Sequence, residues 1–124
     1  SVPAKYILYR NRLTLLPCRQ EGILKLREKD IEKYLRDRVR EFGGKAYKFV
    51  SPGNDGVPDR LVCLPGGRIV FVELKAPGQG PRPLQIHQIG LLRKLGFRVE
   101  VFDSKEQVDK FVEEVARDAG RNQL

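Results

Sequence analysis

The chain has 124 residues, of which 40% are hydrophobic and 32% are charged, and its formal net charge is +8. A chain of this length and composition predicts one globular domain with a real core, and its longest apolar stretch is too short to cross a bilayer, which argues against a membrane-spanning protein. The surplus of basic groups favours a polyanionic partner, of which nucleic acid is the commonest.

The N-terminal residues 1–26 fit no part of the fold pattern that follows them. We set them apart as an arm of unknown role, which is natural, processed or foreign to the protein. Within the arm, positions 6–9 and 13–16 fit two short strands around Asn11. Basic residues interrupt the apolar ones here, so no secretory signal is expected. Cys18 and Cys63 form no zinc-binding spacing, and a cytoplasmic protein is expected.

The next part of the chain predicts one helix and then three strands. Ile31, Leu35 and Val39 recur at helical spacing and predict a helix over residues 28–42, which ends at the two glycines 43–44. Alternation of polar and apolar residues predicts a strand, and dense Gly/Pro turns separate it from two further strands. The three strands are expected at residues 45–50, 60–64 and 69–75.

The remaining elements complete a mixed α/β domain over residues 27–118, with a frayed tail at 119–124. Apolar residues at helical spacing predict a second helix over 84–95, and an apolar run predicts a fourth strand over 97–102. Ser104 is expected to cap a last helix that ends at about residue 116. Short loops make the first three strands an antiparallel meander. The second helix then acts as a crossover to the fourth strand, which yields a mixed sheet flanked by helices.

The third predicted strand ends in Glu73-Leu74-Lys75, and this is the most informative segment of the chain. Side chains alternate across a strand, so Glu73 and Lys75 share a face. Charges at the end of an apolar strand are costly unless they are paired, hydrated or bound to a metal. Asp59 and Glu73 are oxygen ligands that suit Mg²⁺ or Mn²⁺, and a cation with a nearby lysine suits phosphodiester hydrolysis. The same residues also fit a surface Glu/Lys pair beside an aspartate in a turn.

The register of the hairpin between the second and third strands decides whether this site can form. A two-residue turn would place Asp59 on the opposite face from Glu73, because a one-residue slip inverts every side chain. We therefore predict a three-residue loop of residues 66–68, or a bulge of the same effect. That loop would pair Leu61 with Glu73 and Asp59 with Lys75.

Pro58-Asp59 followed by Glu73-Leu74-Lys75 resembles the PD…(D/E)xK nuclease signature. The wider pattern is similar to the virus-type replication-repair nuclease domain, VRR-NUC, in its compact phage and bacterial form, and the similarity covers roughly residues 27–110. Each piece is common alone, but their combination in this order is highly specific. The matching pieces are Gly43-Gly44, Ser51-Pro52-Gly53, Gly56-Val57-Pro58-Asp59-Arg60, Pro65-Gly66-Gly67, Val72 to Gly78, Arg82-Pro83-Leu84-Gln85 and Gly96-Phe97.

This resemblance implies a restriction-endonuclease-like core and a DNA nuclease that depends on Mg²⁺ or Mn²⁺. It implies that Asp59 and Glu73 bind the metal, with the carbonyl of Leu74 as a further ligand. It also implies that Lys75 is the catalytic amine, and that Gln85 corresponds to a glutamine in the family's active site.

Family members also carry a glutamate on the first helix, and two residues of this chain qualify. Glu32 and Glu28 lie one turn apart on the same face of the predicted helix. The spacing from Glu32 to Gly43 resembles that in related Holliday-junction resolvases. Glu32 is therefore preferred, and Glu28 is the alternative.

The functional hypothesis that follows is a homodimeric endonuclease that cuts branched DNA such as Holliday junctions, in a bacterial or phage-infected cell. A two-fold dimer presents two sites to two strands, which suits a four-way junction. One alternative is a non-catalytic DNA-binding module of the same fold, and another is a restriction-type enzyme that cuts linear duplex. The glycine loop at residues 78–80 lacks the Walker spacing, so no nucleotide cofactor is expected, and no membrane partner is expected either.

Overall fold

The structure is a computed structural model, and it describes residues 6–9, 12–15 and 26–122, with side chains for residues 26–120. In this described part of the chain, no helix has both the length and the apolar character to cross a membrane. The elements in chain order are β1 (Tyr6–Tyr9), β2 (Arg12–Leu15), α1 (Glu28–Glu41), β3 (Lys45–Lys48), β4 (Arg60–Leu64), β5 (Arg68–Leu74), α2 (Pro83–Lys94), β6 (Arg98–Phe102) and α3 (Lys105–Asn122).

The central sheet has four strands in the order β3-β4-β5-β6. Strands β3, β4 and β5 form an antiparallel meander, and β6 lies parallel to β5 after the crossover through α2. The predicted mixed α/β sheet is therefore confirmed. Strands β1 and β2 pair antiparallel in a separate two-stranded sheet, close to the two short strands that the sequence predicted in the arm.

The observed bounds differ from the predicted ones mainly at two element ends. Strand β3 ends at Lys48, two residues earlier than predicted, although the amide of Phe49 still donates to the carbonyl of Asp59 (2.8 Å). Helix α3 continues to Asn122, so residues 119–122, which were predicted as frayed, are helical.

The hairpin between β4 and β5 has a three-residue loop, as predicted, but the loop is one residue earlier in the chain. Leu64 pairs with Arg68, so Pro65-Gly66-Gly67 forms the loop instead of residues 66–68. The predicted register is therefore wrong by two residues, while each side chain still lies on the predicted face of the sheet. Both glycines have positive φ, 86° and 76°, and this left-handed backbone is accessible to glycine without strain.

One face of the sheet packs on α1 and α3. Ile31, Leu35 and Val39 of α1 are fully buried, as their helical spacing predicted. Asp109 of α3 joins the two helices by accepting hydrogen bonds from the hydroxyl of Tyr34 (2.5 Å) and Nε of Arg38 (2.9 Å). The main core therefore fills the space between this helix pair and the sheet.

The other face of the sheet packs on α2, which covers it only in part. Phe71, Ile89 and Val99 form a small buried cluster there. One flank of α2 exposes Leu84 and Leu91, together with Leu95 at the end of the helix, the last to 74%. Apolar surface therefore extends from the side of α2 that packs on the sheet to a flank that faces water.

Candidate active site

The end of β5 places a carboxylate and an amine in contact. Glu73 is the second-last residue of the strand and is buried, with only 1% of its surface exposed. Lys75 follows the strand, and its backbone amide still donates to the carbonyl of Phe102 (2.9 Å), which extends the pairing with β6. Nζ of Lys75 lies 3.1 Å from Oε2 of Glu73. The alternation along β5 therefore brings the two charges together.

Asp59 joins this pair from the neighbouring strand. Arg60 pairs with Val72, so one further step along the hairpin sets Asp59 opposite Glu73, on the same face of the sheet. Oδ2 of Asp59 accepts a hydrogen bond from the amide of Leu74 (3.1 Å). The structure thus brings together Asp59, Glu73 and Lys75, with Glu73 rather than Lys75 as the residue opposite Asp59.

Gln85 reaches the same site from the first turn of α2. Its Oε1 accepts a hydrogen bond from the backbone amide of Arg82 (2.8 Å), and its Nε2 donates to Oε2 of Glu73 (2.7 Å). Because an amide oxygen cannot donate, the Arg82 amide fixes which end of Gln85 faces Glu73. Gln85 is buried, so it holds the carboxylate of Glu73 in one orientation.

One oxygen of Glu73 has no hydrogen-bond partner among the described residues. Oε2 binds both Gln85 and Lys75, whereas Oε1 is buried and unpaired. Burial raises the pKa of Glu73, the charge of Asp59 raises it further, and Lys75 opposes the rise. A buried, unpaired carboxylate oxygen beside a second carboxylate is costly to keep unless a cation binds it.

These residues fit a hard divalent cation. Among the described residues, no group of three or more His, Cys, Asp or Glu side chains is arranged to hold a metal ion. A cation would therefore depend on Asp59 and Glu73 together with a main-chain carbonyl, such as that of Leu74, and water. Mg²⁺ keeps several waters in its shell and needs few carboxylates, so this small set of oxygen donors suits it.

Comparison with known proteins identifies the family. No family profile matches the chain. The chain is 57% identical over 81 residues to "Putative nuclease p44" of Acyrthosiphon pisum secondary endosymbiont phage 1, which covers 65% of this chain and 87% of the phage protein. A solved structure named "VRR_NUC domain" superposes with a TM-score of 0.66 at 40% identity, over 69% of this chain and 94% of that one.

The chain belongs to the VRR-NUC nuclease family. The predicted family is therefore confirmed, and so is the restriction-endonuclease-like fold that the resemblance implied. The solved VRR-NUC structure is matched almost over its full length, so the similarity concerns a whole domain and not a shared fragment.

The two glutamates of α1 have different partners in this VRR-NUC domain. Oε1 of Glu32, the preferred residue, lies 2.9 Å from Nη2 of Arg60 and 3.6 Å from Nε of Arg36. Burial raises the pKa of Glu28, and the nearby charge of Asp59 raises it further, while that of Lys75 lowers it. Glu28 therefore lies near enough to Asp59 and Lys75 for their charges to act on it, whereas the ion pairs of Glu32 are with Arg60 and Arg36.

Arg60 is a structural residue next to the candidate site that the sequence did not single out for this role. It directly follows Asp59, and alternation along the strand turns it to the opposite face, toward α1. There it binds Glu32 and donates to the carbonyl of Ala46 (3.4 Å). The signal available in the sequence was an arginine directly after Asp59, which alternation places on the opposite face of the strand.

Gly56 brings the loop before Asp59 into contact with the start of α2. A Cβ atom at Gly56 would lie 2.6 Å from the carbonyl oxygen of Leu84 and 3.0 Å from the amide of Gln85. Such distances are shorter than van der Waals contact, and the φ of 91° also disfavours other residues. This glycine therefore allows the close approach that sets Gln85 next to Glu73.

Proposed function

We propose that this VRR-NUC domain is an endonuclease that depends on Mg²⁺ or Mn²⁺ and hydrolyses phosphodiester bonds in branched DNA. The observation that carries the proposal is the buried Glu73, which faces Asp59 across the hairpin and whose Oε1 has no hydrogen-bond partner among the described residues. The cost of this arrangement is offset when a cation binds both carboxylates.

Asp59, Glu73 and the carbonyl of Leu74 would hold the ion. When bound, the ion polarises the phosphate and makes a water molecule a stronger nucleophile at neutral pH. Lys75 lies at the edge of this donor set, where its ammonium can orient the attacking hydroxide and stabilise the negative charge that grows on the phosphate. The pairing of Lys75 with Glu73 (3.1 Å) holds the amine in place before substrate binds.

Two further residues complete the proposed site. Gln85 positions Glu73, because its own orientation is set by the backbone of Arg82. Glu28 lies where it is acted on by Asp59 and Lys75, and we assign to it the α1 carboxylate role, in which it assists the ion or its bound water. Glu32 would then act only through its ion pair with Arg60.

We propose that the domain works as a homodimer, which would offer two active sites to the two strands of a junction. The support is a flank of α2, where Leu84, Leu91 and Leu95 are exposed at positions that share one side of the helix. A stripe of leucines at this spacing is typical of a helix that packs on another helix. The same stripe on a second copy would cover it.

The variant Leu91→Glu, Leu95→Glu should therefore be a monomer under conditions where the wild type is a dimer. Two buried charges at the helix contact would have no partner, and association would lose the apolar burial that drives it. Light scattering coupled to gel filtration measures the mass directly. Ile86→Glu is the matched control, because Ile86 is exposed to 57% on another side of α2. A wild-type monomer, or a control that dissociates equally, would contradict the assignment.

The proposed activity is tested by comparing a labelled four-way junction with linear duplex of the same sequences. Cleavage of the junction with Mg²⁺ or Mn²⁺, its loss in EDTA, and slower cleavage of the duplex are expected. Preferential cutting of the linear duplex would instead indicate a restriction-type enzyme. Junction binding without cleavage in either metal would indicate a non-catalytic DNA-binding module.

A further inference from the structure

A basic cleft lies between the second half of α1 and the beginning of the edge strand β3. We define it by its lining residues, which are Arg36, Arg40, Gly44, Lys45 and Ala46. None of these residues is acidic, and Arg40 and Lys45 are exposed. The cleft lies at the sheet edge formed by β3, beside α1 and outside the group formed by Asp59, Glu73, Lys75 and Gln85.

The carboxylates near the basic cleft do not neutralise it. Asp37 binds both Arg40 (2.7 Å) and Lys33 (2.9 Å). Glu32 is similarly shared between Arg36 and Arg60. Each of these two carboxylates thus pairs with two cationic side chains, so positive charge remains in excess.

Lys45 adds a further positive charge to the basic cleft. Within the part of the chain that the structure describes, no carboxylate lies at ion-pair distance from Lys45 or from Lys48, which is exposed at the other end of β3. Nζ of Lys45 lies 4.7 Å from the centre of the Tyr47 ring, and Tyr47 is 48% exposed. A cation held over an exposed ring remains available to an anion.

The pairing of β3 with β4 connects the basic cleft to the active site. Lys48 pairs with Arg60, the residue after Asp59, and Lys45 pairs with Cys63. Lys45 is therefore four strand positions from Asp59, which corresponds to about 13 Å at the usual strand rise. One DNA strand carries a phosphate about every 3.4 Å of helix axis, so this distance spans about four phosphates.

We propose that the basic cleft holds the phosphate backbone of the DNA about four phosphates from the bond that is cut. The partner is a nucleic acid strand, and the proposal rests on the nuclease function proposed above. Contacts of this kind position the DNA and do not read its sequence. They would let a small domain bind a junction arm without a separate recognition domain.

The test uses the Asp59→Asn protein, which should bind junction DNA without cutting it, and adds Arg40→Gln with Lys45→Gln. We expect the affinity for the junction to fall about 10- to 30-fold at 0.15 M salt. The plot of log K against log salt should also lose about two from its negative slope, because each phosphate contact contributes about 0.9. Arg36 stays unchanged because it shares Glu32 with Arg60.

The matched control is Lys110→Gln with Arg117→Gln in the same protein. This pair also removes one lysine and one arginine, both exposed on α3. The control should keep the parent slope, and both variants should keep the parent melting temperature. In the cutting-competent chain, the cleft pair should slow cleavage at 0.15 M salt and approach the wild-type rate at low salt, where electrostatic contacts that remain are stronger.

Equal slopes for the two variants would overturn the cleft assignment while leaving the nuclease function standing. A wild-type chain that binds the junction without cutting it would overturn the nuclease function but not the cleft, provided that the slopes still differ. An Asp59→Asn protein that does not bind DNA at any salt concentration would overturn the cleft assignment, since the cleft is proposed to bind DNA without the ion. Wild-type cleavage in the same experiment would show that only the cleft has failed.

Discussion

Asp59→Asn should lower the rate of junction cleavage by about 10²- to 10³-fold or more, while the protein stays as stable as the wild type or becomes more stable. The loss of rate follows from the loss of one of two carboxylates that would hold the ion. The stability follows from the charges, because Asp59 raises the pKa of the buried Glu73 in the folded chain. Removing that charge relieves the repulsion, and the asparagine oxygen can still accept the Leu74 amide.

The measurement pairs single-turnover cleavage in Mg²⁺ with thermal unfolding in EDTA at neutral pH. Asp55→Asn is a suitable control, because Asp55 is an exposed residue of the same loop and lies outside the proposed donor set. The control should cut like the wild type. A melting temperature that drops sharply in Asp59→Asn would show that Asp59 stabilises the fold, and wild-type cleavage by this variant would end its assignment as a metal ligand.

The chain's local signals were sufficient for its architecture. Helical spacing of Ile31, Leu35 and Val39 indicated which side of α1 is buried, and all three are fully buried. Glycine and proline turns marked the limits of the meander closely enough to place every strand of the central sheet. Such signals depend on neighbours within a few residues, and a single sequence displays them directly.

The pairing register needed information that the sequence does not carry. Asp59 and Glu73 share a face only if the loop has an odd number of residues, and such a loop was predicted. A loop of residues 65–67 and a loop of residues 66–68 meet this condition equally well. The structure uses Pro65 in the loop, where it needs no ladder hydrogen bond, and this sets Asp59 opposite Glu73. Burial of the sheet's two faces excludes a slip of one residue but does not distinguish slips of two.

The choice between Glu28 and Glu32 shows a second limit. Both lie on one side of α1, one turn apart, so periodicity cannot separate them. Arg60 of β4 binds Glu32 (2.9 Å), while the charges of Asp59 and Lys75 act on Glu28. Our proposal of Glu28 rests on interactions between distant segments, and a helical pattern does not contain them.

Lys75→Met should also abolish cleavage, but it should change stability in the opposite direction from Asp59→Asn. Lys75 is the charged group that lowers the pKa of Glu73, against the effects of burial and of Asp59. Without it, the ionised carboxylate is left buried without its cationic partner. We expect a loss of about 1–3 kcal/mol in the free energy of unfolding at neutral pH, in EDTA.

The pH dependence of this loss identifies its cause. The pKa of Glu73 is raised above the ordinary glutamate value of 4.5 in the folded chain, so the folded chain loses stability as the pH rises from that value through the raised pKa. Lys75→Met raises this pKa further, and its cost should therefore be absent below pH 4.5 and grow above it. In the double variant Glu73→Gln, Lys75→Met the pH-dependent part should vanish, since no carboxylate remains to ionise. A cost that is the same at acid and neutral pH would instead mean that Lys75 acts through the packing of its aliphatic stem, and not through the charge of Glu73.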